Sequence, residues 1–258
     1  MTNWVRHWAA IAMRRWGLGL AIVILASCGG PDTTAPAPRV SISPEDFVLV
    51  PCGPARVDRP CVLAVAGGKR ILFGAPAGVS ATLADADLRQ LDAVMLFSLH
   101  AVDIEGLDEV RNASWRAGRS EPLLVVGPEG TVGVVEALNA AFEQADALRV
   151  VEEGIPPGGY DAAVLVGREV LRDASAPVFD TGDVRVRGGF NWNASGGGLL
   201  ILEYRTLAEV IMSTCRGTEW DETVLPDVGP PSTRIACSDE LSDLSWPLGE
   251  TIFIVKSE

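Results

Sequence analysis

The sequence predicts a mixed α/β protein, on the basis of two kinds of hydrophobic pattern. Residues 93–97 and 123–126 are short apolar runs bounded by polar residues, which is typical of buried strands. Residues 130–144 instead carry apolar side chains at the spacing of one helix face. Further short β-type runs fill the second half of the chain. Strands and helices together indicate the α/β class.

Length and charge limit the kinds of protein this chain can be. Its 258 residues suit one large domain or two small ones, and 48% of them are hydrophobic, which is enough for a sizeable core. The formal net charge is −13. Nucleic-acid binding requires a basic surface, so we expect no nucleic-acid partner.

The N-terminus has the pattern of a secretory signal peptide. Arg6, Arg14 and Arg15 precede an apolar run over residues 18–25, and small residues follow. A transmembrane anchor is the alternative, but this run is short of the ~20 residues that cross a bilayer. We therefore predict that residues 1–27 are removed. Because they hold three Arg and no acid, the net charge of −13 becomes −16 in the mature chain.

The end of this segment, Leu25-Ala26-Ser27-Cys28, resembles a bacterial lipobox. The resemblance implies cleavage before Cys28 and a thioether-linked lipid on that cysteine. Gly29 follows where an Asp would favour retention in the inner membrane. We therefore expect a lipid-anchored protein of the bacterial cell envelope, at the outer membrane and facing the periplasm. The bilayer is then one partner, and the sequence identifies no protein or small-molecule partner.

Residues 28–44 are predicted to be the lipidated cysteine and a tether, and residues 45–258 the folded domain. The segment GGPDTTAPAP after Cys28 has too few apolar residues to fold. The domain holds four cysteines, Cys52, Cys61, Cys215 and Cys237. An even number in an exported protein favours disulfides. Of the three possible pairings, the local one closes the shortest loops, and free buried thiols are the alternative. The spacings are unlike those of a four-cysteine zinc site.

The first half of the domain is predicted to contain strands, a hairpin and three helices. Residues 47–50 form the first strand, and residues 61–66 and 70–73 form a hairpin around the turn Gly67-Gly68. The helices are predicted at residues 79–90, 107–115 and 130–144. Two strands, at residues 93–97 and 123–126, lie between them.

The second half is predicted to be mostly strands and loops. Strands are expected at residues 162–166, 184–186, 199–204, 209–212 and 251–255. The segments 151–160 and 218–246 are rich in Pro, Gly, Asp or Ser and are predicted to be loops.

The stretch DAVMLFSLHAVDIEGL, residues 92–107, resembles the signature of the metallo-β-lactamase fold, in which a strand leads into Thr-His-x-His-x-Asp-His. The resemblance covers residues 45–215. The family members that the chain resembles are ribonuclease Z and arylsulfatase-like hydrolases, and the resemblance implies a four-layer αββα sandwich. His100 takes the place of one ligand. Ser98, Val102 and Asp103 replace the other three. The acid that follows the family's hairpin is replaced by Gly74.

The later ligands of the family are also replaced in this chain. Asn193 lies near the place of the third-cluster histidine, and Cys215 lies near the bridging aspartate. We call Ser98, His100, Asp103, Asn193 and Cys215 the vestigial site. Trp192, between two asparagines, is a candidate for its lining.

A second segment, GPEGT at residues 127–131, is similar to the family's Gly-Pro-x-Gly-Thr at a helix start. Such a turn can hold a phosphate. Capping and tight passage from strand to helix explain it as well, and we favour these.

The number of histidines decides between the possible functions. The chain has two, and His7 leaves with the signal peptide, so His100 alone remains. A zinc site needs at least three protein ligands. We therefore expect no zinc and no catalytic residues, with Asp103 and Glu105 as solvated loop acids and His100 as a hydrogen-bonded loop residue. A general base at His100 beside Ser98 is the alternative for this loop.

Two function classes follow from this count. The favoured one is a degenerate metallo-β-lactamase-like domain that serves as a binding or structural module. The alternative is a metal-dependent hydrolase of an ester or phosphoester with an altered metal site.

Overall fold

The computed structural model describes residues 41–170, 177–190, 197–215, 230–237 and 242–257. The predicted signal peptide, Cys28, Trp192 and Asn193 lie outside these residues, as does most of the predicted tether. None of the helices in the described ranges has the length and apolar character that crossing a bilayer requires.

The first sheet holds most of the strands from the first half of the domain. In chain order they are β1 Phe47–Pro51, β2 Val62–Ala66, β3 Lys69–Phe73, β4 Leu91–Met95, β5 Leu123–Gly127 and β6 Leu165–Glu169. β1, β2 and β3 pair antiparallel, whereas β3, β4, β5 and β6 are parallel to one another. The carboxyl ends of the parallel strands therefore lie along one edge of the sheet.

The second sheet is built from the second half of the chain. Its strands are β7 Phe179–Asp180, β8 Val184–Phe190, β9 Gly198–Tyr204, β10 Ala208–Ser213, β11 Ser232–Ala236 and β12 Leu244–Ser245, in the spatial order β12-β11-β10-β9-β8-β7. The last strand, β13 Ile252–Val255, returns to the first sheet and pairs antiparallel with β1.

The helices are α1 Asp85–Arg89, α2 Ala101–Ile104, α3 Leu107–Ala117 and α4 Thr131–Glu153, with 3-10 helices at Val79–Thr82 and Asp161–Ala163. Apolar residues of α1, α3 and α4 pack against one face of the first sheet. The other face packs against the second sheet in a shared core. The α/β class and the sandwich of two sheets are as predicted. All the helices in the described ranges belong to the first sheet or to its loops.

Several predicted element boundaries are wrong, and local backbone geometry explains them. The helix predicted over residues 79–90 is a 3-10 helix and α1, because Leu83 between them is extended. α4 continues nine residues beyond its predicted end and stops at Gly154, which has a φ of 87°. The strand predicted at 162–166 begins only at Leu165, after a 3-10 helix.

The predicted interior strand at residues 93–97 is confirmed, although it begins and ends two residues earlier, as β4. It pairs with β3 on one side and with β5 on the other, and residues 93–97 are all fully buried. The predicted loop over residues 218–246 contains the strands β11 and β12, so that prediction is wrong for these residues.

Candidate functional site

The carboxyl ends of strands from both sheets meet at one edge of the sandwich. Phe97 follows β4, and its ring contacts that of Trp246 edge-on, with 6.2 Å between centroids. The Trp246 indole N–H donates a hydrogen bond of 2.7 Å to the carbonyl of Ser213, the last residue of β10. The vestigial-site residues that the structure describes, Ser98, His100, Asp103 and Cys215, lie at this edge, which we call the site edge.

Ser98, His100 and Asp103 form a local hydrogen-bonded group around the start of α2. The Ser98 hydroxyl donates to the Asp103 carboxylate. The same hydroxyl oxygen accepts a hydrogen bond of 3.0 Å from the backbone amide of His100, the residue before α2. Ser98 and Asp103 are 2% and 3% exposed, whereas His100 is exposed. Burial of a carboxylate requires such a partner.

The place of the family's hairpin acid is closed by backbone. Gly74 has a φ of 77°, and a Cβ there would lie 2.2 Å from the carbonyl oxygen of Pro60. The next residue, Ala75, donates its amide to the carbonyl of Asp103 at 3.0 Å, and its own carbonyl accepts from Gly106 at 2.8 Å. This loop and α2 are therefore packed backbone to backbone, without room for a side chain at residue 74.

Both disulfides reach the site edge, and they have the local pairing that closes the shortest loops. Cys52 is bonded to Cys61, and Cys215 to Cys237. We call residues 52–61 the disulfide loop. Cys215 Sγ lies 2.8 Å from the carbonyl oxygen of Val57 in that loop. The two crosslinked segments are therefore in contact.

The disulfide loop also provides a cation to the site edge. The guanidinium of Arg59 forms an ion pair with the carboxylate of Glu105, just after α2. Glu105 is exposed, as predicted for a loop acid, although its carboxylate is paired with this arginine. Asp103, predicted to be solvated as well, is buried, so that prediction is wrong. Asp103 is enclosed because its carbonyl accepts a hydrogen bond from the amide of Ala75 and its carboxylate accepts one from the Ser98 hydroxyl.

The donor set at the site edge does not fit a zinc ion. Zinc is held by three or four thiolates, imidazoles or carboxylates. Cys215 is in a disulfide and is not a thiolate, Gly74 has no side chain, and the Ser98 hydroxyl donates to the buried carboxylate of Asp103. Among the described residues, no three His, Cys, Asp or Glu side chains are grouped as metal ligands. Asn193 lies outside them.

The GPEGT turn is a capped helix start, as favoured from the sequence. Glu169, the last residue of β6, accepts hydrogen bonds from the amides of Gly130 at 2.9 Å and Val132 at 3.2 Å. A carboxylate at a helix N-terminus satisfies unpaired amides and the helix dipole. The side chain of Glu169 therefore holds the position that a phosphate would need.

Sequence reasoning missed Arg59, Trp246 and Glu169. Glu169 ends the strand next to α4, so an acid at that place in the sequence was a usable signal for capping. The contacts of Arg59 and Trp246 join residues that are far apart in the chain, and no local pattern indicates them.

No family model and no curated protein matches the sequence. Several solved structures are similar to the chain in fold. The chain is similar to the metallo-β-lactamase fold protein YhfI from Bacillus subtilis, with 16% identity and a TM-score of 0.43 over 65% of this chain. It spans 61% of the length of YhfI.

Two further solved structures are similar to the chain at comparably low identity. The short form of human tRNase Z is 14% identical, with a TM-score of 0.49 over 77% of this chain and 92% of that one. A diphosphatase from the PhnP family is 14% identical, with a TM-score of 0.44 over 81% of each chain. The described part of the chain itself forms a two-sheet α/β sandwich, which is consistent with the αββα sandwich that the sequence resemblance implies.

Proposed function

We propose that the protein is an envelope-anchored bacterial lipoprotein whose metallo-β-lactamase-like domain is a non-catalytic binding or structural module. One observation carries the proposal. The described residues that replace metal ligands are held by contacts with other parts of the fold. Gly74 is closed in by Pro60, Ser98 is bonded to Asp103, and Cys215 is crosslinked to Cys237.

The charges at the site edge support the same proposal. A metal ion balances the acids of a metallohydrolase site. Here Arg59 provides a positive charge from the disulfide loop to Glu105, and the Ser98 hydroxyl donates to Asp103. An acid-lined edge without a metal is stable only if its carboxylates have such partners. The protein's own side chains thus give Glu105 a counter-charge and Asp103 a hydrogen-bond donor.

The anchoring part of the proposal is supported by the sequence around Cys28. The basic residues, the short apolar run and the lipobox-like Leu25-Ala26-Ser27-Cys28 all occur in the required order. Replacement of the cysteine by Cys28→Ala should move the protein out of the membrane fraction, and mass spectrometry of the native protein should find an acylated N-terminal cysteine. An unchanged membrane fraction of the variant refutes the anchor.

The non-catalytic part is tested by assaying hydrolysis. The purified full chain should be incubated with bis(p-nitrophenyl) phosphate and with p-nitrophenyl acetate, each with added zinc or manganese. We expect rates equal to those without protein. A metal-dependent rate that EDTA and His100→Ala both abolish would establish the hydrolase alternative instead.

A further inference from the structure

The edge opposite the site edge is where the tether enters the domain. The described chain begins at Ser41, and residues 41–46 lead directly into β1. Glu45 is held there from the second sheet. Its carbonyl accepts a hydrogen bond of 3.2 Å from the Tyr204 hydroxyl, and its carboxylate pairs with Arg205 at 2.7 Å. The entry point of the chain is therefore fixed to the end of β9.

Three turns surround this entry point. Arg205 also pairs with Asp183 at 3.1 Å, which joins the β7–β8 turn to the β9–β10 turn. Gly67 lies against Val184 and Tyr204, so the hairpin turn is adjacent. We call residues 41–46, 67–69, 181–183 and 205–207 the tether edge.

The tether edge and the site edge lie at opposite ends of the same strands. β10 begins at Ala208, next to the turn of Arg205, and ends at Ser213, which accepts the hydrogen bond from Trp246. A strand of this length separates its two ends by about 17 Å, at ~3.3 Å per residue. One end of the sandwich therefore receives the tether, and the other presents the vestigial site.

The chemistry of the tether edge suits a lipid surface. Leu207 at the tip of its turn is 50% exposed, although it is a large hydrophobic residue. The acids of this edge lie beside cations: Arg205 pairs with Glu45 and Asp183, and Lys69 pairs with Asp92 at 2.9 Å. Such pairing weakens the repulsion between these acids and anionic headgroups.

We propose that the tether edge rests on the bilayer, with Leu207 in the interface, and that the site edge faces away from the membrane. This inference depends on the proposed anchoring at Cys28. The thirteen residues 28–40 reach at most about 45 Å. Stretching a tether costs chain entropy, so orientations with the entry point close to the anchored cysteine are favoured. A single leucine has little affinity alone, but the tether keeps it at high local concentration above the lipid.

The inference is tested by photo-crosslinking in the full-length lipoprotein. The photoreactive residue p-benzoylphenylalanine replaces Leu207 at the tether edge in one variant. In the matched control it replaces Glu129, which is exposed in the loop after β5 at the site edge. Both proteins are placed in vesicles of phosphatidylethanolamine and phosphatidylglycerol, irradiated and examined by mass spectrometry. We expect lipid adducts at position 207, several-fold more abundant than at position 129.

The outcomes separate this inference from the proposed function. If the protein is in the membrane fraction but position 129 is labelled as strongly as 207, or neither is labelled, the orientation is refuted and the anchoring stands. If the native protein is absent from the membrane fraction, the anchoring fails and the orientation fails with it. Because Leu207 is exposed, its replacement leaves the core intact, and circular dichroism checks this.

Discussion

Gly74 is the residue at which the chain departs most sharply from a metal-binding loop. Its φ of 77° is in the region that only glycine adopts at low cost, and Pro60 occupies the space of a side chain. Restoring an acid there therefore requires a rearrangement of the disulfide loop. The sequence revealed that the acid is missing, but the sequence alone does not show that backbone fills its place.

The closed space at Gly74 predicts a large cost for Gly74→Ala. Gly78 is a matched control, since its φ is 82° and no atom lies within 4 Å of a Cβ there. Gly78→Ala should cost about 1–2 kcal/mol for the left-handed backbone alone. Gly74→Ala should cost about 1–3 kcal/mol more because of the clash. Urea denaturation measures both, and equal losses for the two variants would show that the space is open.

Asp46 predicts a pH dependence of stability. Hydrogen bonds from the backbone amides of Ser257 and Ser43 hold the pKa of Asp46 below its ordinary value of 3.8. A lowered pKa means that the ionised carboxylate stabilises the fold above pH 3.8 and that this stability is lost as the pH falls through the folded pKa. Asp46→Asn should therefore be less stable at neutral pH and lose less stability below pH 3.8. Denaturation curves with equal acid sensitivity would contradict this.

At the residue scale, the sequence identified Ser98, His100 and Asp103 as neighbours but not their hydrogen bonds. The spacing of residues on a short loop does not determine which oxygen a hydroxyl contacts. The sequence therefore left open the alternative that His100 is a general base. In the structure the Ser98 hydroxyl donates to Asp103, and the backbone amide of His100 donates to the Ser98 hydroxyl oxygen.

At the scale of elements, helices α3 and α4 are joined by a buried ion pair. Arg111 donates two hydrogen bonds to Asp146, and their side chains are 2% and 5% exposed. Arg119 is buried nearby, and burial together with the charge of Arg111 lowers the pKa of Arg119 to about 10. The carboxylate of Asp146 is therefore the buried counter-charge of Arg111, and Arg119 adds a second cation close to Arg111.

Removal of this carboxylate should be strongly destabilising. Asp146→Ala leaves Arg111 without its buried counter-charge, and we expect a loss of about 3–5 kcal/mol in the free energy of unfolding. Glu143→Ala, on an exposed position of the same helix, should change it by less than about 0.5 kcal/mol. The double variant Arg111→Met with Asp146→Leu should recover part of the loss. A small effect of Asp146→Ala would mean that the pair is hydrated in solution.

Element types were predicted better than element boundaries. The stripe over residues 130–144 predicts α4 because apolar spacing is a local property, but the helix continues over residues whose apolar side chains, such as Leu148 and Val151, are exposed. No apolar stripe marks that extension. Strands β11 and β12 escaped prediction because they are short and lie in a segment rich in Pro, Asp and Ser.

At the scale of the whole molecule, two disulfides close the loops beside the site edge. Thiol counting under denaturing, non-reducing conditions should find no free thiol among Cys52, Cys61, Cys215 and Cys237. Restriction of the unfolded chain predicts that each bridge stabilises the fold by about 3 kcal/mol, the longer loop slightly more. Replacing each pair by serines measures this. Four reactive thiols in the untreated protein would contradict the pairing.

The stability of the sandwich comes from two apolar cores. One core lies between the two sheets and another lies between the first sheet and the helices. The sequence predicted this architecture from apolar runs and from the resemblance, both of which follow the buried strands. The contacts of Pro60 with Gly74 and of Arg59 with Glu105 join segments that are distant in the sequence. No local pattern predicts such contacts, and only the structure reveals them.

Zinc binding is the measurement that tests the central claim most directly. The full-length protein should be purified without chelators, its metal content determined, and zinc then titrated into native protein and into His100→Ala. We predict far less than one zinc per chain and weak, non-saturating binding that the variant does not change. The account is contradicted if zinc binds near-stoichiometrically, with a dissociation constant below about a micromolar, and His100→Ala abolishes this binding. Such a result would mean that the site edge holds a metal ion.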